Sequence, residues 1–220
     1  MYAILGATGQ VGRAVVASLA ADGHAARMRL IGRTPSADAP AGAAWHHADL
    51  RAGPAALAAA LEAALAAGGA RTTFVRATSF MQNRVPIARA ALASGTWHAM
   101  FAPDLPLPAV SADDVGRCVA RMLRDPDPPR IVNVTGAGTW SEREVARLVA
   151  SLAGRPLAVE AVPPAHRAAA LQAAGLGRSY AEALAQMHAA FEAGAAAFAP
   201  ADLEVAGEES FEDVLRRALA

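Results

Sequence analysis

Short apolar runs alternate along the chain with longer stretches in which apolar residues recur at helical spacing. Tyr2 to Leu5 is an apolar run that reads as a buried strand, and a helical pattern follows from Arg13 to Ala21. Met28 to Ile31 is a second such run, and Ala44 to Ala48 is a short third. Gly53-Pro54 then opens a helix, with Pro where its missing N–H is tolerated; Leu57, Leu61 and Leu65 fall on one face, and Gly68-Gly69 ends it. Thr72 to Thr78 is β-branched and aromatic, as strands are. Asn83 to Ser94 reads as a helix with Pro86 in its first turn, and residues 102–110 as a proline-rich loop. Ser111-Ala-Asp-Asp114 caps a helix reaching about Arg124, Asp125 to Pro129 forces a loop, and Ile131 to Val134 is a strand. Ser141-Glu-Arg-Glu144 is a capping box for a helix that ends near Gly154, and Leu157 to Val162 carries a further strand pattern. Residues 165–194 read as two alanine-rich helices broken near Gly175 and Gly177, and Phe211 to Leu219 as a closing helix. Strands alternating with helices predict an α/β fold, a doubly wound and mostly parallel sheet of reduced strand number with a small C-terminal helical lobe. The expected division within this single domain is a core over 1–136 and a smaller lobe over 137–220.

The first strand runs into Gly6-Ala-Thr-Gly9-Gln-Val-Gly12, and a helix follows. A strand, a glycine-rich turn and a helix in that order build an anion site. Glycines let backbone approach a diphosphate, and the helix N-terminus points free N–H groups and the positive end of its dipole at the charge. This pattern predicts a dinucleotide site. The second strand leads into Gly32-Arg33. NAD sites usually carry Asp or Glu at the end of that strand, for the ribose hydroxyls, whereas an Arg suits a 2′-phosphate that it can bind bidentately. Arg33 therefore points to NADP(H), or is a solvated loop arginine.

Composition narrows the classes. The chain has 220 residues, 54% of them apolar and only 5% aromatic, so the expected core is alanine-rich and dense in helix. The formal net charge of +0 gives no electrostatic case for nucleic acid or an acidic membrane surface. No apolar stretch is long enough to span a bilayer, and the first strand begins at Tyr2. The expectation is a cytoplasmic protein. Cys118 is the single cysteine, which excludes an internal disulfide, and its apolar helical setting predicts a buried, inert thiol. The sequence contains no lysine, so a Tyr-x-x-x-Lys catalytic pair is excluded.

The segments Gly-Ala-Thr-Gly-Gln-Val-Gly (6–12), Ala-Asp-Leu (48–50), Arg-Ala-Thr-Ser-Phe-Met-Gln-Asn (76–83) and Ser-Ala-Asp-Asp-Val-Gly (111–116) resemble the NmrA-like group of atypical short-chain dehydrogenases/reductases. Asn-Val-Thr-Gly (133–136), Val-Pro-Pro (162–164) and Ser-Phe-Glu-Asp (210–213) resemble its C-terminal half. The resemblance implies an NADP-binding extended Rossmann fold, with relatives that reduce quinones or azo compounds and others that only sense the dinucleotide. It implies that Gly6, Thr8, Gly9, Gln10, Val11 and Gly12 line the diphosphate, that Arg33 meets the 2′-phosphate, and that Asp49 and Leu50 border the adenine. Thr78 and Ser79 would form the far wall of the coenzyme site, with Phe80 and Asn83 towards the substrate. One departure stands out. Family members place further strand–helix–strand structure where only Arg51 to Arg71 stand here. Because an unpaired edge on Tyr2–Leu5 is costly, Thr72–Thr78 is expected to move beside it, giving the order third strand, second, first, Thr72–Thr78, Ile131–Val134.

Other candidates have ordinary explanations. Tyr180 falls on one helical stripe with Leu184, Met187 and Phe191, which predicts core packing. His46 and His47 are neighbours in a strand, point to opposite faces and make a poor metal pair. His98, His166 and His188 are scattered and read as surface or packed residues. Asn83 either hydrogen-bonds a substrate carbonyl or starts its helix. Two function classes follow: a reductase passing hydride from NADPH to a small quinone-like or carbonyl substrate, and a non-catalytic NADP(H)-binding sensor or degenerate relative.

Overall fold

The computed structural model describes residues 2–32, 38–47, 73–194 and 200–219. In chain order the first elements are β1 (Tyr2–Leu5), α1 (Gln10–Ala21), β2 (Met28–Gly32), β3 (Ala44–His47), β4 (Phe74–Ala77) and β5 (Ser79–Phe80). Next come α2 (Val85–Ser94), β6 (Thr96–Ala99), β7 (Leu107–Val110), α3 (Ala112–Arg124), β8 (Ile131–Thr135) and β9 (Thr139–Trp140). The chain closes with α4 (Glu142–Ala153), β10 (Ala158–Ala161), α5 (Arg167–Ala173), α6 (Arg178–Glu192), β11 (Leu203–Ala206) and α7 (Phe211–Leu219). Residues 54–67, expected to be helical, lie outside the described residues.

Two compact units interleave along the chain. The first comprises residues 1–77, 112–134 and 201–207, the second residues 78–111, 135–200 and 208–220.

In the first unit, β1, β2 and β3 pair in parallel with unbroken register, Tyr2 opposite Met28 and Leu30 opposite Trp45. Helix α1 turns Val15, Val16 and Leu19 inward, the three-to-four spacing that the sequence shows, and they pack with Ile4, Met28 and Leu30. Helix α3 packs on α1 at Gly116, where an added Cβ would stand 2.2 Å from the Ala14 Cβ. At their C-terminal ends an ion pair joins Arg124 to Asp22.

A separate ladder of the same unit has the order β11-β8-β4. The expected placement of residues 72–78 beside β1 is therefore corrected: no pairing between β1 and β4 exists among the described residues. The other neighbour in the expected order, residues 131–134, is found. Phe74 to Ala77 lie opposite Ile131 to Val134 in parallel register. The ladder continues past the strand start, with Phe74 N–H donating to the Arg130 carbonyl at 2.7 Å and the Thr73 hydroxyl to the Pro129 carbonyl at 2.8 Å. Those bonds satisfy the backbone along that edge of β4.

In the second unit, β7 pairs in parallel with β5 through Ala109 and Val110, and antiparallel with β9 through Leu107 and Pro108. The loop expected over residues 102–110 thus ends in a strand. Each partner takes a different half of β7, so Pro108 costs no bond to β5. Strands β6 and β10 pair in parallel. Around them α2, α4 and α7 bury Trp97, Val149, Phe211 and Leu215, and the Trp140 ring meets Phe211 edge-on at 5.4 Å. Helix α4 starts on the expected capping box, with Ser141 Oγ accepting from the Glu144 N–H and Glu144 accepting from the Ser141 N–H.

The stripe expected on α6 holds in part: Leu184 and Phe191 are half-buried, and the Phe191 ring stacks on Phe101 with centres 6.4 Å apart, but Tyr180 and Met187 lie outside it. Ala181 and His188 face inward, while Tyr180 is 63% exposed and Met187 is also at the surface. In an alanine-rich helix several faces are nearly equivalent, and the specific contacts of His188 and Glu192 described below choose among them.

Candidate functional site

The turn from β1 into α1 is built by its glycines. Gly6 has φ +70°, a left-handed conformation that side chains disfavour, and its carbonyl accepts from the Gly9 N–H at 2.9 Å. The Gly9 carbonyl then takes the first helical bond, from Arg13 N–H at 2.9 Å. Gly12 has no alternative, because a Cβ there would lie 2.1 Å from the Gly6 carbonyl oxygen. The N-cap residue is Gly9, no side chain caps the helix, and its first turn holds no acidic residue. Gly6, Thr8, Gly9 and Gln10 are exposed, while Val11 is half-buried against the core of this unit. A bare N-terminus of a twelve-residue helix beside a turn in which Gly6, Gly9 and Gly12 present no Cβ fits a diphosphate.

Arg33, Asp49 and Leu50 lie outside the described residues. Thr78, Ser79, Phe80 and Asn83 belong to the second unit. The Thr78 hydroxyl is buried with no hydrogen-bond partner among the described residues, a state that a polar ligand would relieve. Ser79 and Phe80 form β5 and line a pocket. Asn83 is exposed on a 3-10 turn, Met81–Arg84, and Arg84 rather than Asn83 is the N-cap residue of α2. Its expected role in starting that helix is not seen: no side chain caps α2.

The pocket of the second unit is lined by Phe80, Trp140 and Phe211, and by two charged residues that sequence reasoning passed over, Arg84 and Glu142. Glu142 is buried, and its Oε2 accepts from the Trp97 indole N–H at 2.7 Å. Arg84 Nη2 stands 2.9 Å from the other carboxylate oxygen in a salt bridge. The Arg84 guanidinium also lies 5.6 Å from the centre of the Phe101 ring. The available signal was local. Arg84 directly follows Phe-Met-Gln-Asn, and Glu142 sits inside the capping box, where it reads as an ordinary first-turn acid.

Behind this wall His188 packs against Phe101 with ring centres 4.4 Å apart. Burial pushes its pKa down to about 4, helped by the nearby charges of Arg84 and Arg167 and opposed by Glu192. Arg167 and Glu192 form a two-armed pair at 2.8 and 2.7 Å, and Glu192 also accepts from the Ala102 N–H. The Arg167 hydrogen bond is the main cause that holds the Glu192 carboxyl below its usual range. Cys118 is buried as expected, and burial raises its thiol pKa. No group of His, Cys, Asp and Glu able to hold a metal occurs among the described residues. No helix among them is long and apolar enough to cross a membrane.

Comparison with known proteins agrees with this architecture. Residues 56–212 match the NmrA-like family, and the chain belongs to it. The glycine turn lies upstream of the matched stretch, so the two observations are independent. Similar solved structures include the NADPH-dependent quinone oxidoreductase QOR2 of Escherichia coli complexed with NADPH, at 20% identity and TM-score 0.75 over 100% of both chains. Triphenylmethane reductase of Citrobacter sp., complexed with NADP(H), matches at 17% identity and TM-score 0.70 over 99% of each chain. An isoflavone reductase matches at 15% identity and TM-score 0.65 over 98% of each. At these identities the likeness is one of fold. No curated protein sequence matches the chain.

Proposed function

We propose that this protein binds NADP(H) and reduces a small quinone-like or carbonyl compound. The observation that carries the reading is the β1–α1 turn, where Gly12 has no room for a Cβ and the helix start is bare. Gly6, Thr8, Gly9, Gln10, Val11 and Gly12 would hold the diphosphate with backbone N–H groups and the helix dipole. Arg33 would bind the 2′-phosphate, Asp49 and Leu50 would border the adenine, and Thr78 and Ser79 would complete the coenzyme contacts. NADPH supplies the hydride; the protein orients the reactants and excludes water. The named activities of similar structures, quinone oxidoreductase and triphenylmethane reductase, support this substrate class.

A second reading, a sensor that binds the dinucleotide without turnover, draws on the absence of lysine from the chain and the exposure of Tyr180. The deciding experiment has two stages. NADPH and NADH are titrated against intrinsic tryptophan fluorescence, and NADPH consumption is then followed with a quinone panel. Tighter binding of NADPH, abolished selectively by Arg33→Asp, supports the coenzyme assignment; equal binding of both coenzymes removes it. Binding without turnover on any quinone selects the sensor.

A further inference from the structure

We propose that the α5–α6 hairpin is a detachable cover of the second unit, clasped over Phe101 by ionisable side chains and released in mild acid while the core beneath stays folded. Packing sets the hairpin apart. Helices α5 and α6 pack chiefly on each other. Neither gives a residue to the apolar cluster around Trp97, Val149 and Phe211. Their buried residues are Arg167, Ala181 and His188, so the part of the hairpin that faces inward is mostly ionisable. The chain enters the hairpin from Val162, whose N–H donates to the Ala99 carbonyl at 2.9 Å, and turns at Pro163-Pro164. An element that buries so little apolar surface opens at a lower free energy than the core it covers.

The clasp is small and specific. Glu192 holds Arg167 of α5 with two bonds and accepts from the Ala102 N–H, in the loop after β6, at 2.7 Å. The His188 ring lies against Phe101 with centres 4.4 Å apart, and the Phe191 ring stacks on the same residue at 6.4 Å. Phe101 is buried beneath them. The charges that act on His188 are Arg84 from the 3-10 turn, Arg167 from α5 and Glu192 from α6 itself, and Glu142 of α4 is paired to Arg84. Two cations and one anion act on a ring already out of water, so the docked ring resists a proton that the undocked ring accepts. Acid therefore favours the open form. Arg167 Nε and His188 Nδ1 are buried without a hydrogen-bond partner among the described residues, and water reaching them on opening lowers its cost. Undocking bares the Phe101 ring.

The test is hydrogen exchange of the full chain, read by mass spectrometry as protection relative to the unstructured rate at each pH. The docked His188 has a pKa of about 4 against the ordinary 6.5, so the docking constant falls roughly twentyfold between pH 7 and pH 5. Protection over residues 167–192 is expected to fall by about that factor, while peptides of α4 and α7 keep theirs. His188→Phe keeps a ring against Phe101 without a titrating group, and should hold the hairpin's protection within about twofold over the same range. Glu192→Gln keeps an acceptor for the Ala102 N–H but loses the ionic bond to Arg167, and should lower hairpin protection about tenfold already at pH 7. In each variant the protection of α4 reports that the core is folded. Helices that fray in place would not answer to His188, so a His188→Phe chain that still loses hairpin protection at pH 5 overturns the proposal. Hairpin and core losing protection together, or a wild-type hairpin equally protected at both pH values, overturns it too. No coenzyme is present in the experiment, and its outcome is separate from the coenzyme assignment.

Discussion

At Gly12 the missing side chain is a spatial requirement. A Cβ would lie 2.1 Å from the Gly6 carbonyl oxygen, which is backbone and cannot swing aside. Gly12→Ala should therefore lower stability by about 1–3 kcal/mol through strain and abolish NADPH binding, as read by urea unfolding and fluorescence titration. Gly138→Ala is the matched control, since nothing stands within 4 Å of its added Cβ, and it should change neither. His188 makes a prediction of a different kind. Its folded pKa of about 4 lies below the ordinary 6.5 because the ring is buried beside two arginines. As pH falls from about 6.5 to about 4, the unfolded chain takes up a proton that the folded one refuses. Stability should drop across that window, by up to about 3 kcal/mol, and level off below it. Glu192, whose lowered pKa belongs to its bond with Arg167, adds its own loss only further into acid. His188→Phe keeps a ring against Phe101 and should flatten the upper part of the slope in urea unfolding taken at successive pH values. An unchanged slope would assign the acid sensitivity elsewhere.

Elements with a local chemical signature were legible in the sequence, as were the neighbours among the first three strands and between β4 and β8, whereas the shortest strands were not. The capping box at Ser141 and Glu144 announces α4 because both partners lie within one turn. Ser141→Ala should cost about 1 kcal/mol, visible as a lower urea midpoint, and should let the Glu144 pKa rise only in part, because the Ser141 backbone N–H that depresses it most remains and only the hydroxyl bond is lost. By contrast β6 and β11 carry alternating burial over only four residues, with Trp97 and Ala99 buried and His98 exposed, too short a run to separate from a loop. The glycine turn was legible because strand, turn and helix are contiguous. The Arg84–Glu142 wall was not, since its members are far apart in sequence and meet only through the fold. The same distinction applies to Gly116, which reads as an ordinary helix glycine until α3 meets α1. Gly116→Ala puts a Cβ 2.2 Å from that of Ala14 and should destabilise by about 1–3 kcal/mol. Adding Ala14→Gly should recover part of that loss and not all, because the Ala14 backbone also stands within 3.0 Å.

For the whole molecule, the order of the chain and the order of packing differ. The first unit draws β11 from residues near the C-terminus, where Asp202 accepts from the Ile131 N–H at 2.9 Å and Glu204 accepts from the Asn133 amide at 2.7 Å. The second unit takes residues 78–111 from the N-terminal half, and their apolar side chains, Met81, Trp97 and Ala99 among them, pack with α4 and α7. A fragment ending at residue 136 would therefore lose the β11 partner of β8. It would also carry an apolar surface whose matching helices are gone, and Trp97 would lose its acceptor Glu142. Such a fragment is expected to bind a hydrophobic dye and to unfold without a cooperative transition, whereas the full chain should lose both tryptophan fluorescence and helical circular dichroism in transitions with defined midpoints. Supplying residues 137–220 as a second chain should restore cooperativity, because each missing contact is a surface that the other piece carries. A fragment 1–136 that gave a sharp urea transition and dispersed amide resonances by itself would show that the first unit needs neither β11 nor the second unit, and that the interleaving is a matter of connectivity alone.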